Sequence, residues 1–162
     1  MFNNRLQTAT SLKRRGWKGS EFCCVCGKKE TVNHIFFQCV LATFTWSVIR
    51  ESFGWVEHPR SLADLAEGCF KQNLNMPAIL CLFIFAGLSW AMWCNRNKMA
   101  IERVFPNKPI DSLLKDISCL QSWKILLKEG DKERLDPALD HLVACCNNLQ
   151  TSAWMPSDVV EL

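Results

Sequence analysis

The chain has 162 residues, 49% hydrophobic and 22% charged, with a formal net charge of +3. That composition is globular, so a disordered tail, a collagen-like repeat and a low-complexity polymer are excluded; the length excludes a complete polymerase and fits one domain or two small ones. Ten Cys, seven Trp and no Tyr are the unusual counts, and they point to disulfides or a metal site and away from any tyrosine-based chemistry.

The first twenty residues carry Arg5, Lys13, Arg14, Arg15 and Lys18 and no acid. They contain no apolar signal-peptide run, so the chain is expected to be intracellular, in cytoplasm or nucleus. A basic start bearing Ser and Thr also has the make-up of a mitochondrial presequence, which makes the mitochondrion the alternative. Thr8 or Thr10 is placed to cap a short helix ending at Gly16. Residues 23–39 hold a turn at Gly27-Lys28-Lys29 and a helical start near Thr31.

Leu41, Phe44, Trp46, Val48, Ile49 and Phe53 recur as an amphipathic helix that Gly54 stops. Pro59 and Ser61 precede another, with Leu62, Leu65, Cys69 and Phe70 on one face. Pro77 opens a long helix running to about Val104. The stretch from Gln72 to Asn95 has no charge and is long enough to span a membrane; flanked by amphipathic helices, it is read as a central helix buried all round, with Trp90 and Trp93 in the core and no membrane partner. Asp111 or Ser112 is expected to start the next helix and Gly130 to break it; Leu135, Leu139, Leu142, Cys146 and Leu149 form the last stripe. No alternating strand stands out. The fold class is therefore all-α, a helical bundle with a small irregular zinc-bound segment near the N terminus. Residues 1–56 would be the zinc-binding segment with the first helices, 57–150 a bundle continuous with it, and 151–162 a flexible tail.

Cys23, Cys26, His34 and Cys39 follow the pattern C-x2-C-x7-H-x4-C. Two thiolates three apart reach one ion from a tight turn, and a His and a Cys further on complete a tetrahedral shell. Four protein ligands leave no open position, so the expected cofactor is a structural Zn2+. Cys24 is a spare thiol that could replace Cys23. Cys69, Cys81, Cys94, Cys119, Cys145 and Cys146 are expected as core thiols rather than disulfide partners. His141 and Cys145, four apart with Cys119 upstream, offer a weaker second cluster.

Around the four ligands, LKRRGWKGSEFCCVCGKKETVNHIFFQC resembles the zinc-binding domain that follows the polymerase in plant non-LTR retrotransposons. Leu12, Arg14, Arg15, Gly16, Trp17, Gly19, Cys23, Cys26, Glu30, Thr31, His34, Phe36, Cys39 and Trp46 carry the resemblance. Trp90, Trp93, Arg96 and Asn97 resemble the W-x-x-W-x-x-R-N segment that follows it in that family. Gln7 stands where the family favours Pro, and Cys24 likewise; neither change removes a ligand. The resemblance implies an accessory zinc domain with nucleic-acid binding as its ancestral role, here as a free-standing fragment. No adjacent Asp-Asp pair is present, so polymerase chemistry is not expected.

The sequence therefore predicts a non-enzymatic interaction module that binds another protein, adopted by its host as a regulator or inhibitor. Its candidate partner-binding residues are Trp154 and Met155, beside a helical face. The alternative is RNA or single-stranded DNA binding through Arg14, Arg15, Lys18, Lys28 and Lys29, with Trp17, Phe22, Phe36 and Phe37 as nearby aromatics. Oligomeric state is left open.

Overall fold

The computed structural model describes residues 6–55, 57–70 and 77–151. These residues form an all-α fold, with one isolated bridge, Phe22 to Lys29, in place of any strand among them. The tail expected to carry Trp154 and Met155 lies outside the described residues.

Helix α1 spans Ala9–Arg14, and the Thr8 side chain caps it by accepting from the Ser11 backbone N–H at 3.2 Å. A five-residue π turn, His34–Gln38, leads into α2, Val40–Phe53, which stops at Gly54 as its sequence predicts. Helix α3 spans Leu62–Phe70 and α4 spans Ala78–Asn97, extended by a second π turn over Lys98–Glu102. Helix α5 is Pro109–Trp123 and α6 is Glu129–Thr151, joined by a short 3-10 turn, Lys124–Leu126.

Two expected boundaries move. Helix α5 begins at Pro109, two residues before Asp111. Proline is preorganised for the first helical position, and the Asp111 carboxylate accepts the Lys108 backbone N–H at 2.9 Å. Gly130 does not break the chain; it lies in the first turn of α6, and the break falls at Leu127, whose backbone is extended. Helix α6 also runs through Pro137, which has no N–H to return to the preceding turn.

The core is an aromatic stack crossed by several elements. Trp46 from α2 is fully buried and lies parallel to Phe37 of the first π turn at 6.0 Å, to Trp55 at 6.3 Å and to Phe85 of α4 at 6.5 Å. Its indole N–H, which would be costly to bury alone, donates to the Phe36 carbonyl at 2.6 Å. Leu88, Leu113, Leu120, Leu135 and Leu142 extend that core through α4, α5 and α6.

Helices α4 and α5 run antiparallel, with Gly87 against Leu120, Trp90 beside Trp123, and Asn95 bonded to Asp116. A Cβ on Gly87 would lie 2.5 Å from Leu120 Cδ2, so any side chain there would have to displace Leu120. Helix α4 is not buried all round. Leu80, Cys81, Ile84, Leu88 and Met92 face the core, while Ile79, Leu82 and Trp90 are exposed. Trp90 is therefore a surface residue, and Trp93 is only partly buried. Ala78–Glu102 remains the one helical stretch long and apolar enough to cross a membrane among the described residues, and half of its most apolar window is buried in protein.

Among the described cysteines none forms a disulfide. Cys81 and Cys146 are buried core thiols, whereas Cys94, Cys119 and Cys145 are half-buried. The side chain of Cys69 lies outside the described residues.

Candidate metal centre

The first two candidate ligands sit on a tight turn. Gly27 N–H bonds back to the Cys23 carbonyl at 3.0 Å, and Cys23 N–H to the Lys28 carbonyl at 2.7 Å. Closing that turn needs a left-handed residue, which Gly27 supplies with φ of 69°. Two bonds between flanking segments, Glu30 N–H to the Glu21 carbonyl and the Phe22–Lys29 bridge, zip the turn shut.

The other two ligands depend on the π turn. On an α-helix a five-residue step rotates by about 140°, which would point His34 and Cys39 apart. Here Cys39 N–H bonds to the His34 carbonyl at 2.7 Å, five residues back. The widened turn brings both side chains to one side, a use typical of π bulges at functional sites. Thr31 caps the approach, its hydroxyl accepting from His34 N–H at 3.1 Å.

These two devices place one donor atom each from Cys23, Cys26, His34 and Cys39 within 4.8 Å of one another. Cys26 Sγ lies 3.3 Å from His34 Nε2, and Cys23 Sγ lies 3.9 Å from Cys39 Sγ. A tetrahedral zinc with Zn–S bonds near 2.3 Å would hold its sulfurs about 3.8 Å apart, so the spacing fits that ion. Cys23, His34 and Cys39 are buried. Cys24 is outside the group, which makes Cys23 the candidate for the first ligand position.

Electrostatics favour a thiolate at Cys23. The neighbouring Cys39 thiol pulls the Cys23 thiol down, against the effect of burial, with further help from the backbone N–H of Val25 at 3.4 Å. The same contact and its own burial push Cys39 up. Burial pushes the Cys24 thiol up as well, with the charge of Cys23 adding to it.

A buried ion pair ties this segment to the helices. The Glu30 carboxylate accepts the Ala9 backbone N–H at 2.7 Å and the Arg96 Nε–H at 3.1 Å, and it also receives Arg96 Nη2. Arg96 in turn lies 5.4 Å from the Trp93 ring centroid and donates Nη1–H to Asn97 Oδ1 at 2.9 Å. The Glu-Thr of the zinc motif and the Trp-x-x-Arg-Asn of α4 are thus two halves of one arrangement. The sequence marks both motifs but not their contact, since residues 66 apart carry no local sign of meeting.

Behind the ligands lies a cavity of about 40 Å³, bordered by Cys23, Cys39, Met92, Met99 and Asp116 among others. Asp116 is buried, accepting from Thr45 Oγ1 at 3.2 Å and Asn95 Nδ2 at 3.0 Å. Burial raises its pKa to about 7, and the two hydrogen bonds offset only part of that.

The candidate nucleic-acid residues Arg14, Arg15, Lys18, Lys28 and Lys29 are all exposed. Lys29 pairs with Glu21 at 3.5 Å. Trp17 and Phe22 are about half exposed beside them, at 47% and 50%. Phe36 and Phe37 are buried in the core and form no part of that surface. His141 Nε2 lies 3.8 Å from Cys145 Sγ, but among the described residues no third ligand, Cys119 included, joins them. His141 Nδ1 instead meets the Ser52 carbonyl at 3.1 Å.

Comparison with known proteins agrees with this geometry. Residues 1–46 match the family described as zinc-binding in reverse transcriptase. That family is a zinc-binding module rather than the catalytic reverse-transcriptase domain. No curated protein and no solved structure matches the chain.

Proposed function

We propose that the chain is a non-catalytic module, held by one structural Zn2+ on Cys23, Cys26, His34 and Cys39, that acts by binding another protein. The donor set supports the metal: three thiols and an imidazole suit zinc, and a filled tetrahedral shell leaves no position for a substrate. The observation that carries the binding role is the uncovered face of α4. Trp90 is 55% exposed on a part of α4 that carries no charge before Arg96, with Ile79 and Leu82 exposed along the same helix. Surface aromatics in apolar surroundings are what protein interfaces select as anchors.

Derivation from a plant retrotransposon, with later adoption by the host as a regulator or inhibitor, completes this reading. Its support is the match over residues 1–46 together with the Trp93, Arg96 and Asn97 motif that packs onto Glu30.

The test compares zinc-loaded wild type with the double variant Leu82→Lys, Trp90→Glu as bait. Wild type should retain a partner through moderate salt that the variant loses, while both hold one zinc by elemental analysis. Equal retention by the two would reject the α4 face. A second reading has its own observation, the exposed Trp17 and Phe22 beside Arg14, Arg15, Lys18 and Lys28. Nucleic acid bound there should dissociate steeply as salt rises. No retention of RNA or single-stranded DNA at low salt would end that reading.

A further inference from the structure

The apolar face is larger than one helix. Ile79, Leu82, Ala86 and Trp90 follow each other on α4 at steps of three, four and four residues, and all are exposed. That spacing aligns them in one stripe. The stripe then crosses to α5, where Trp123 meets Trp90 with ring centroids 6.4 Å apart. The turn directly after Trp123 exposes Ile125 and Leu126 to about three-quarters of their surface. Five large aliphatic and aromatic side chains therefore stand in water where a folded chain would usually place charge.

We infer that the partner on this face is a second copy of the same chain, an inference that rests on reading the face as a protein-binding surface. Charge is the first argument. No Asp, Glu, Lys or Arg lies between Gln72 and Asn95. Across the seam, Gln121 and Ser122 are exposed and neutral, and Lys124 is already paired with Asp136. An interface around a two-fold axis sets each patch against its own kind. A charged patch would then oppose like charges, whereas an uncharged one carries no such penalty. A strongly charged foreign partner, by contrast, would find no charge along the α4 stripe to pair with.

Area is the second argument. Five side chains exposed to this extent offer on the order of 500 Å² per copy, or about 1,000 Å² across two copies, the lower bound for a specific interface. That size lies in the class of transient pairs, well below that of obligate dimers. Trp90 and Trp123 would be its aromatic anchors, the residue type that contributes most to interfaces.

Sedimentation equilibrium of the zinc-loaded full chain across the micromolar range is the test. The average mass should climb from the 18.6 kDa of one chain towards twice that value. Leu82→Lys and Trp90→Glu, each on an exposed side chain, should keep helicity and zinc content and stay at the monomer mass. A chain that remains monomeric throughout overturns the inference, and so does a dimer that both variants still form. Flotation of monomer with neutral phosphatidylcholine vesicles, lost in Trp90→Glu, would assign the face to a membrane and also overturn it. If self-association fails while the double variant still loses a foreign partner, the protein-binding reading survives and only the second copy is wrong.

Discussion

The segment over residues 6–46 and the α4–α5 pair each bury a carboxylate, and they treat it differently. Glu30 is met by a guanidinium and a backbone N–H, so its charge is fully compensated. Asp116 is met only by a hydroxyl and an amide, so its charge is opposed by burial and its pKa rises to about 7. The difference follows from how each region is held. The first packs Phe36, Phe37 and Trp46 onto the core, but its turn over residues 8–34 is tied down by the Cys/His cluster, polar bonds and one ion pair. The second is close-packed around Leu113, Leu120 and Leu88 and tolerates a neutral polar group within that packing. A region organised by directional bonds should fail sharply when one is removed, and a packed region should fail by degrees.

Metal removal gives the largest contrast. Structural zinc contributes on the order of 10 kcal/mol in small zinc modules, comparable to the whole stability of a domain. Chelation, or Cys39→Ala, should abolish metal binding and expose the amides of residues 20–46 to hydrogen exchange. Phe37 and Trp46 both stack on Phe85 of α4 and so bridge the two regions, and the tertiary signal of Trp46 should go with it, while α5 and α6 keep slower exchange. If exchange over residues 20–46 is unchanged without metal, the segment is packed like the rest and the contrast disappears.

Arg96→Met comes next. It leaves Glu30 buried and unpaired, which costs about 3–5 kcal/mol. Adding Glu30→Gln should recover much of that loss, because the stranded charge is removed, and denaturant unfolding would read both values. A single variant within about 0.5 kcal/mol of wild type would show that water reaches Glu30 after all.

Asp116→Asn probes the second carboxylate and carries the opposite sign. A carboxyl raised in the folded state contributes stability that is complete below its unfolded pKa, near 3.8, and is lost as pH rises through the folded value of about 7. Wild type should therefore weaken relative to Asp116→Asn between about pH 4 and pH 7, by no more than about 4 kcal/mol. Comparing the two proteins at each pH removes the zinc ligands' own titration, which both share. A gap that stays constant with pH would mean that Asp116 is ionised at little cost.

Much of this was legible in the sequence where the signal is local. The caps at Thr8 and Pro77, the stop at Gly54 and the leucine stripe of α6 all follow from spacing within one turn or two. The gathering of Cys23, Cys26, His34 and Cys39 was legible because that residue set at that spacing is characteristic of metal chemistry. The π turn that makes the H-x4-C step work was not, since hydrophobic periodicity cannot separate a π turn from an α-helix over five residues. Nor was the exposure of Trp90, because the uncharged stretch from Gln72 to Asn95 reads as buried whichever face is left open. The Glu30–Arg96 pair was hidden by distance along the chain.

Gly87→Ala gives the smallest effect and tests the packed region alone. The new methyl would lie 2.5 Å from Leu120 Cδ2 and 3.5 Å from its Cγ. Overpacking costs about 1–3 kcal/mol, and replacing a mid-helix glycine returns up to about 1 kcal/mol of helix propensity. The net loss should be about 1 kcal/mol by denaturant unfolding, with zinc content unchanged and a shift in the fluorescence of the Trp90–Trp123 pair as α4 and α5 move apart. A more stable variant would mean that Leu120 swings aside freely, and then the α4–α5 seam would not be close-packed where its glycine implies that it is.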